Sequence, residues 1–187
     1  FDTTAGAGLW VYNSEFGGAS SAFTGALRSS TPAIAADGTL YAVADKATGG
    51  MVMALNADGT LRWKYDTNTA IADGGVAIAK DGTVYANLGV ATEANPSGVV
   101  ALNPDGSVKW TYSVEASVQT TPMIDNRGYI HFIDANATYY ILKADGTLFS
   151  SLSLGESCKS TPVMDAEGNT FVVVTKDGRR VIKAKKA

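Results

Sequence analysis

Short apolar runs alternate with polar turns along almost the whole chain, and the same order of runs and turns occurs four times. Each copy begins with a small or β-branched run, followed by a turn that ends in glycine. These first-turn glycines are at positions 38, 82, 128 and 168, so successive copies are 44, 46 and 40 residues apart. A unit that recurs at such a period cannot bury its apolar faces alone, and we expect the copies to stack on one another.

Within each copy the pattern predicts four short β-strands, which we call A to D. In the first copy these are 33–35, 39–44, 51–55 and 61–65. β-Branched and aromatic residues dominate the runs, and Asp-Gly pairs separate them, which is the strongest short-range signal for a hairpin. The turn between C and D ends in Asp-Gly in three copies, and Lys176–Gly178 is its weaker counterpart in the last. No stretch has the apolar spacing of a helix.

The two ends of the chain are complementary in this pattern. Residues 8–12 match strand D of the later copies, whereas the strand C predicted at 179–184 has no strand D after it. We expect the N-terminal strand to complete the last blade, because that would remove an exposed sheet edge. The sequence therefore predicts an all-β fold, a β-propeller or propeller portion that occupies residues 1–187 as a single unit. Its four-stranded antiparallel blades are predicted at about 30–66, 74–113, 120–152 and 160–187.

The repeated elements resemble those of a known family. Thr-Pro before strand A, Asp-Gly-Thr-Leu-Tyr at strand B, Ala-Leu-Asn-x-Asp-Gly after strand C and Trp-x-Tyr in strand D are similar to the repeat of quinoprotein-dehydrogenase-like propellers. The resemblance covers residues 8–184. That superfamily includes pyrroloquinoline-quinone alcohol dehydrogenases, the propeller scaffold of the bacterial outer-membrane assembly machine and many surface proteins. The resemblance therefore implies the fold more strongly than it implies an activity.

Quinone chemistry, as the resemblance implies it, needs residues that this sequence lacks. In the resembled dehydrogenases the cofactor is stacked between a tryptophan and a disulfide of adjacent cysteines, and Cys158 is the one cysteine here. No histidine cluster, CxxC pair or phosphate-binding glycine loop occurs in the sequence. We expect no cofactor, no metal and no catalytic residue in this chain. A part of a quinoprotein oxidoreductase and a repeat lectin remain as alternative functions.

Several residues that could suggest catalysis occupy repeated positions. His131, the single histidine, stands in a slot that is aromatic in the other copies, so we expect it to pack. Trp10, Trp63 and Trp110 share one register in strand D, which predicts indoles between neighbouring blades rather than a platform for sugars or bases. The turn aspartates are predicted to form turns, because no glutamate closes their loops as a calcium site requires.

Composition adds a location and excludes some partners. The net charge of −3 argues against a nucleic-acid binder, and no apolar run approaches the 18 residues or more of a membrane span. Five of the 15 cations lie in the last nine residues, which we interpret as a charged edge strand. Charged residues are 18% of the chain, and small polar residues dominate, as is common in bacterial extracytoplasmic β-proteins. We expect the periplasm or the cell surface.

The predicted function is binding or scaffolding of a protein or a glycan. In an up-and-down blade the A–B and C–D turns share one edge, and the B–C loops and the connections between blades share the other. The first set is short and repetitive and the second varies, so we expect the varied loops to carry the contacts. The candidate contact residues are Phe16, Phe23, Asp45, Lys46, Glu93, Asn95, Asp134 and Asn136.

The sequence leaves three assemblies open. The chain could close as a four-bladed ring, pair with a second copy, or be a portion of a longer propeller whose other blades are missing. Phe1 is neither a start methionine nor part of a signal peptide, and we expect a processed or trimmed product.

Overall fold

The computed structural model describes residues 31–46, 49–67, 69, 74–90, 92, 95, 97–158 and 160–185, without the side chains of Asp45, Lys46 and Ser157. The strand predicted at 8–12 lies outside this part. The described residues form sixteen β-strands and no helix. In this part of the chain there is also no helix that could cross a membrane.

The strands form four antiparallel four-stranded sheets, one for each copy of the repeat. Blade 1 contains β1 (Ala33–Ile34), β2 (Leu40–Lys46), β3 (Gly49–Leu55) and β4 (Leu61–Thr67). Blade 2 contains β5 (Val76–Ile78), β6 (Val84–Asn87), β7 (Ser97–Leu102) and β8 (Val108–Val114). Blade 3 contains β9 (Met123–Ile124), β10 (Ile130–Ile133), β11 (Thr138–Leu142) and β12 (Leu148–Ser153). Blade 4 contains β13 (Ser157–Cys158), β14 (Val163–Met164), β15 (Thr170–Lys176) and β16 (Arg179–Lys185).

In blades 1 to 3 the strands follow the order A, B, C, D across the sheet, and each strand pairs with its neighbours in sequence. Blade 4 differs, because β13 and β14 pair with the two ends of β15 on one side and β16 pairs with β15 on the other. The predicted all-β fold of four-stranded antiparallel blades is therefore confirmed.

The strand C predicted at 179–184 is observed as β16, and only the grouping of the turn before it is wrong. The turn at Lys176–Gly178, which the sequence pattern groups with the C–D turns, joins β15 to β16 and is therefore a B–C connection. Asp177 and Gly178 both have positive φ, +48° and +73°, as a two-residue hairpin turn requires. The sequence could not distinguish the two, because Asp-Gly serves short hairpins of either kind.

Three of the four hydrophobic clusters in the described residues lie between blades, and the fourth lies on one face of blade 1. One cluster joins blades 1 and 2, a second joins blades 2 and 3, and a third joins blades 3 and 4. Side chains alternate along each strand, so blades 2 and 3 each present one apolar face to the preceding blade and one to the next. This packing explains why no copy of the repeat would be stable alone.

Candidate functional site

The two edges of the sheets differ in construction. We call the edge with the A–B and C–D turns the turn edge, and the edge with the B–C loops and the connections between blades the loop edge. At the turn edge the C–D turns are built alike in blades 1 to 3. The Asp58 carboxylate accepts hydrogen bonds from the Thr60 backbone N–H (2.9 Å) and hydroxyl (2.7 Å). Asp105 and Asp145 accept the corresponding bonds at 2.6–2.9 Å.

These turn hydrogen bonds hold the pKa of each aspartate below its ordinary value of 3.8. The largest cause in each turn is the bond from the hydroxyl two residues further along the chain. Because the carboxylates are used within their own turns, the prediction that they form turns agrees with their geometry.

The A–B turns of blades 1 and 2 are tied to strand D by ion pairs. Arg62 lies 3.1 Å from Asp37, and Lys109 lies 3.2 Å from Asp81, with all four side chains partly exposed. Blade 3 replaces this pair with a stack.

In blade 3, the guanidinium of Arg127 lies 4.9 Å from the ring centre of Tyr129, which in turn lies 5.0 Å from that of Phe149. Both arrangements connect the A–B turn to strand D, through an ion pair in blades 1 and 2 and through ring contacts in blade 3.

The two described tryptophans of strand D bind the next blade. The indole Nε1 of Trp63 donates to the Pro104 carbonyl at 2.9 Å, and that of Trp110 donates to the Ala144 carbonyl at 3.0 Å. Each ring also lies against the glycine of the next C–D turn. The prediction that these indoles lie between blades is confirmed for both, and Trp10 lies outside the described residues.

At the loop edge, buried polar contacts fix the bases of the loops. Ser97 donates from its hydroxyl to the Gly89 carbonyl at 2.5 Å and accepts from the Val118 backbone N–H at 2.8 Å. Asn87 donates to the Val118 carbonyl at 3.2 Å, and the Thr69 hydroxyl donates to that of Leu88. These bonds join the B–C loop of blade 2 to the connections on either side of it.

Hydroxyl groups extend the pairing of the inner strands at this edge. The Ser160 hydroxyl accepts from the Val173 backbone N–H at 2.8 Å and donates to its carbonyl at 3.2 Å. Thr120 makes the same two contacts with Ile133, at 3.2 and 3.3 Å. The connections between blades are therefore held against strand B before strand A begins.

The candidate contact residues have different environments. Asp134 is buried, and its carboxylate accepts from the Thr138 backbone N–H at 2.8 Å and from the Tyr140 hydroxyl at 3.2 Å. Asn136 is exposed in the same B–C loop, and half-buried Asn95 closes a short turn with Thr92.

Asp45 and Lys46 lie at the loop-edge end of β2, opposite Gly50 and Gly49. Phe16, Phe23 and Glu93 lie outside the described residues. That any of these residues contacts a partner stays a prediction.

His131 packs between strands as predicted, in a polar setting that the sequence did not indicate. Its Nδ1 lies 2.6 Å from the Tyr139 hydroxyl, and its Nε2 lies 3.4 Å from the Asp125 carboxylate. Tyr139 is in turn 3.3 Å from the Thr170 hydroxyl of blade 4. Burial lowers the pKa of His131 below 6.5, although the bond and charge of Asp125 oppose this.

Asp125 keeps its charge in this network. Burial raises the pKa of its carboxyl, but hydrogen bonds from Tyr129, Arg127 and His131 outweigh that effect and lower it overall. A neutral His131 next to an ionised Asp125 is expected to carry its proton on Nε2, so that Nδ1 accepts from Tyr139. The described residues contain no group of three or more metal-ligating side chains.

Two cavities were not indicated by the sequence. A broad groove of about 720 Å³ lies on the turn edge between blades 1 and 2, where Ile34, Ile78 and Pro104 lie beside Arg62 and Lys80. A smaller cavity of about 140 Å³ lies between blades 3 and 4. Each depends on residues from two blades that are far apart in sequence.

Comparison with known proteins assigns a family. Over residues 1–138, and again over residues 48–187, the sequence matches the protein family described as outer membrane protein assembly factor BamB. The chain belongs to this family. The resemblance to the PQQ-repeat propeller superfamily is thereby confirmed. None of the curated proteins matches the sequence.

Several solved structures share the fold of this chain. BamB from Moraxella catarrhalis is 20% identical, with a TM-score of 0.57 over 83% of this chain and 47% of that one. A Bacteroides caccae protein of unknown function is 15% identical, with a TM-score of 0.57 over 84% and 60%. A europium-containing methanol dehydrogenase is 10% identical, with a TM-score of 0.54 over 73% and 36%. At these identities the likeness shows the fold, and the chain spans 60% or less of each of these proteins.

Proposed function

We propose that this chain is a non-catalytic, extracytoplasmic propeller unit that binds a protein partner through its loop edge. One contrast carries the proposal. The turn edge repeats one construction from blade to blade, whereas the loop edge combines loops of different length and sequence with firmly bonded bases. Varied loops on a rigid frame are the usual place for a binding surface.

The family supports a protein rather than a glycan as the partner, because its description is that of an assembly factor. The non-catalytic part is supported by the use of the turn carboxylates, which are bonded within their turns or paired with Arg62 and Lys109. The location is supported by the same family description, which names the outer membrane.

Site-specific photo-crosslinking tests the choice of edge. A benzophenone amino acid at Asn136 places the probe on an exposed B–C loop, and the same amino acid at Ala166 places it on an exposed A–B turn. In cells that secrete the protein, Asn136 should crosslink one discrete partner in stoichiometric yield, and Ala166 should not. Crosslinking from Ala166 alone, or from neither position, would contradict binding at the loop edge.

A second measurement tests the absence of catalysis. Pyrroloquinoline quinone and calcium are added to the purified chain, which is then passed through a desalting column. We expect no quinone absorbance in the protein fraction. A stoichiometric chromophore would favour the oxidoreductase alternative, whatever the crosslinking shows.

A further inference from the structure

The interface between blades 3 and 4 is more polar than the others. In blade 2 the face toward blade 1 includes the paired residues Val84 and Leu102, which are fully buried. The equivalent pair in blade 4 is Thr170 and Lys185, and Lys183 follows on the same face of β16. A hydroxyl and two ammonium groups therefore replace aliphatic side chains on the blade 4 side.

The blade 3 side has changed in a matching way. Strand D of blades 1 and 2 places Tyr65 and Tyr112 against the next blade, as part of the two clusters between those blades. The equivalent residue in blade 3 is Leu152, which pairs with Tyr139 of β11. Compared with blades 1 and 2, blade 3 lacks the aromatic ring at this position of strand D and has the Tyr139 hydroxyl in the neighbouring strand C.

These exchanges leave a cavity of about 140 Å³. A cavity of about 150 Å³ holds a benzene molecule, so the available space suits a ligand of about six non-hydrogen atoms. The walls combine apolar groups with hydroxyls and ammonium groups. The lining includes Tyr139, Leu152, Thr170, Val172, Lys183 and Lys185.

The charge in this cavity is positive. Lys183 donates to the Leu154 carbonyl at 2.7 Å and lies 2.9 Å from the Glu156 carboxylate, which neutralises it. Lys185 is exposed at the cavity, and no ion-pair partner for it lies in the described ranges. Tyr139 and Thr170 are both buried.

The buried hydroxyls are held in place. The Tyr139 hydroxyl is fixed by His131 on one side and by Thr170 on the other. The cavity therefore has a preorganised polar end and a charged rim.

We propose that the cavity between blades 3 and 4 binds a small organic carboxylate with a short aliphatic body. Leu152, Leu154 and Val172 surround the body, and the Lys185 ammonium pairs with the carboxylate at the rim of the cavity. Compact inorganic anions fit less well, because most of the wall surface is apolar. The proposal does not depend on a protein partner at the loop edge.

The single histidine provides a direct readout. Butyrate has the required size, and its binding next to Tyr139 should shift the imidazole proton resonances of His131 in an NMR titration of the full chain. We expect saturation with a Kd on the order of 1 mM, as an ordinary ligand efficiency gives for so small a molecule. Butanol has the aliphatic body without the carboxylate, and inorganic phosphate has the negative charge without the aliphatic body. Each should bind at least about tenfold more weakly than butyrate.

Matched variants locate the site. Lys185→Gln should weaken butyrate binding about tenfold or more and leave butanol unchanged, whereas Lys109→Gln, a control on an exposed lysine of blade 2, should change neither. Leu152→Tyr restores the ring present in blades 1 and 2, and should abolish binding while the fold is retained by circular dichroism. The proposal is wrong if butyrate leaves the His131 resonances unshifted, or if the Leu152→Tyr protein binds it as the wild type does.

Discussion

Replacing Gly146 with alanine should destabilise the protein more than the same change at Gly128, because an indole lies against the first glycine and not the second. Both glycines end turns at the turn edge, with φ of +85° and +80°. A methyl group at Gly146 would lie 2.7 Å from Cδ2 of Trp110, whereas one at Gly128 would have no heavy atom within 4 Å. Comparing the two substitutions therefore separates the cost of backbone strain from the cost of contact with the Trp110 ring.

The magnitudes follow from these two contributions. A left-handed backbone conformation costs alanine about 1–2 kcal/mol at either position. At Gly146 the methyl group must also displace the indole, and overpacking of this kind costs about 1–3 kcal/mol. We therefore expect the free energy of unfolding to fall by about 2–5 kcal/mol for Gly146→Ala and by about 1–2 kcal/mol for Gly128→Ala.

Urea denaturation followed by far-ultraviolet circular dichroism measures both losses without relying on tryptophan fluorescence. The same two substitutions are then made in a Trp110→Ala protein, where no ring is left to displace. In that background the two glycines should cost the same within error. The explanation fails if the losses are already equal with the indole present, or if the difference persists after the indole is removed.

Three further predictions concern the remaining polar groups. Burial holds the pKa of His131 below its ordinary value, so the unfolded state binds more protons than the folded state. The free energy of unfolding should therefore fall as the pH drops below 6.5. His131→Phe should remove this part of the dependence of Tm on pH. Asp134→Ala should cost about 1–3 kcal/mol in urea denaturation, because the partly buried Thr138 N–H and Tyr140 hydroxyl lose their acceptor. Asn136→Ala in the same loop should stay within about 0.5 kcal/mol, and equal losses would contradict the assignment. The lowered pKa of the turn aspartates adds stability that is lost as the pH falls through and below 3.8, so Asp145→Asn should flatten the acid limb of Tm, and an unchanged limb would refute this.

Much of the fold could be predicted from the sequence, because its determinants are local. Period-two apolar runs and Asp-Gly pairs each act over fewer than about ten residues. They place strands B to D of blade 1 within a few residues of their observed bounds. The shared register of Trp63 and Trp110 was also sufficient to predict that the indoles lie between blades. Local signals failed at Lys176–Gly178, where an Asp-Gly turn has the same sequence whichever two strands it joins.

The candidate cavity could not be predicted in the same way, although one signal for it was present. Tyr139, Leu152, Thr170 and Lys185 each depart from the residue that other copies have at the same register. Each departure taken alone is an ordinary surface or core substitution. Their common location becomes visible when the registers of two sheets are known, since the four residues belong to four strands of two blades.

The sequence by itself determined the repeat, the strands and the turns of this protein, because hydrogen-bonded hairpins form between neighbours along the chain. The tertiary structure decided which faces of successive blades meet. That contact brings Trp110 to Gly146, and the His131 and Tyr139 pair to Thr170, across 31–39 residues of chain. Sheet stacking depends on the shape and volume of whole faces, and no local run of residues encodes that fit.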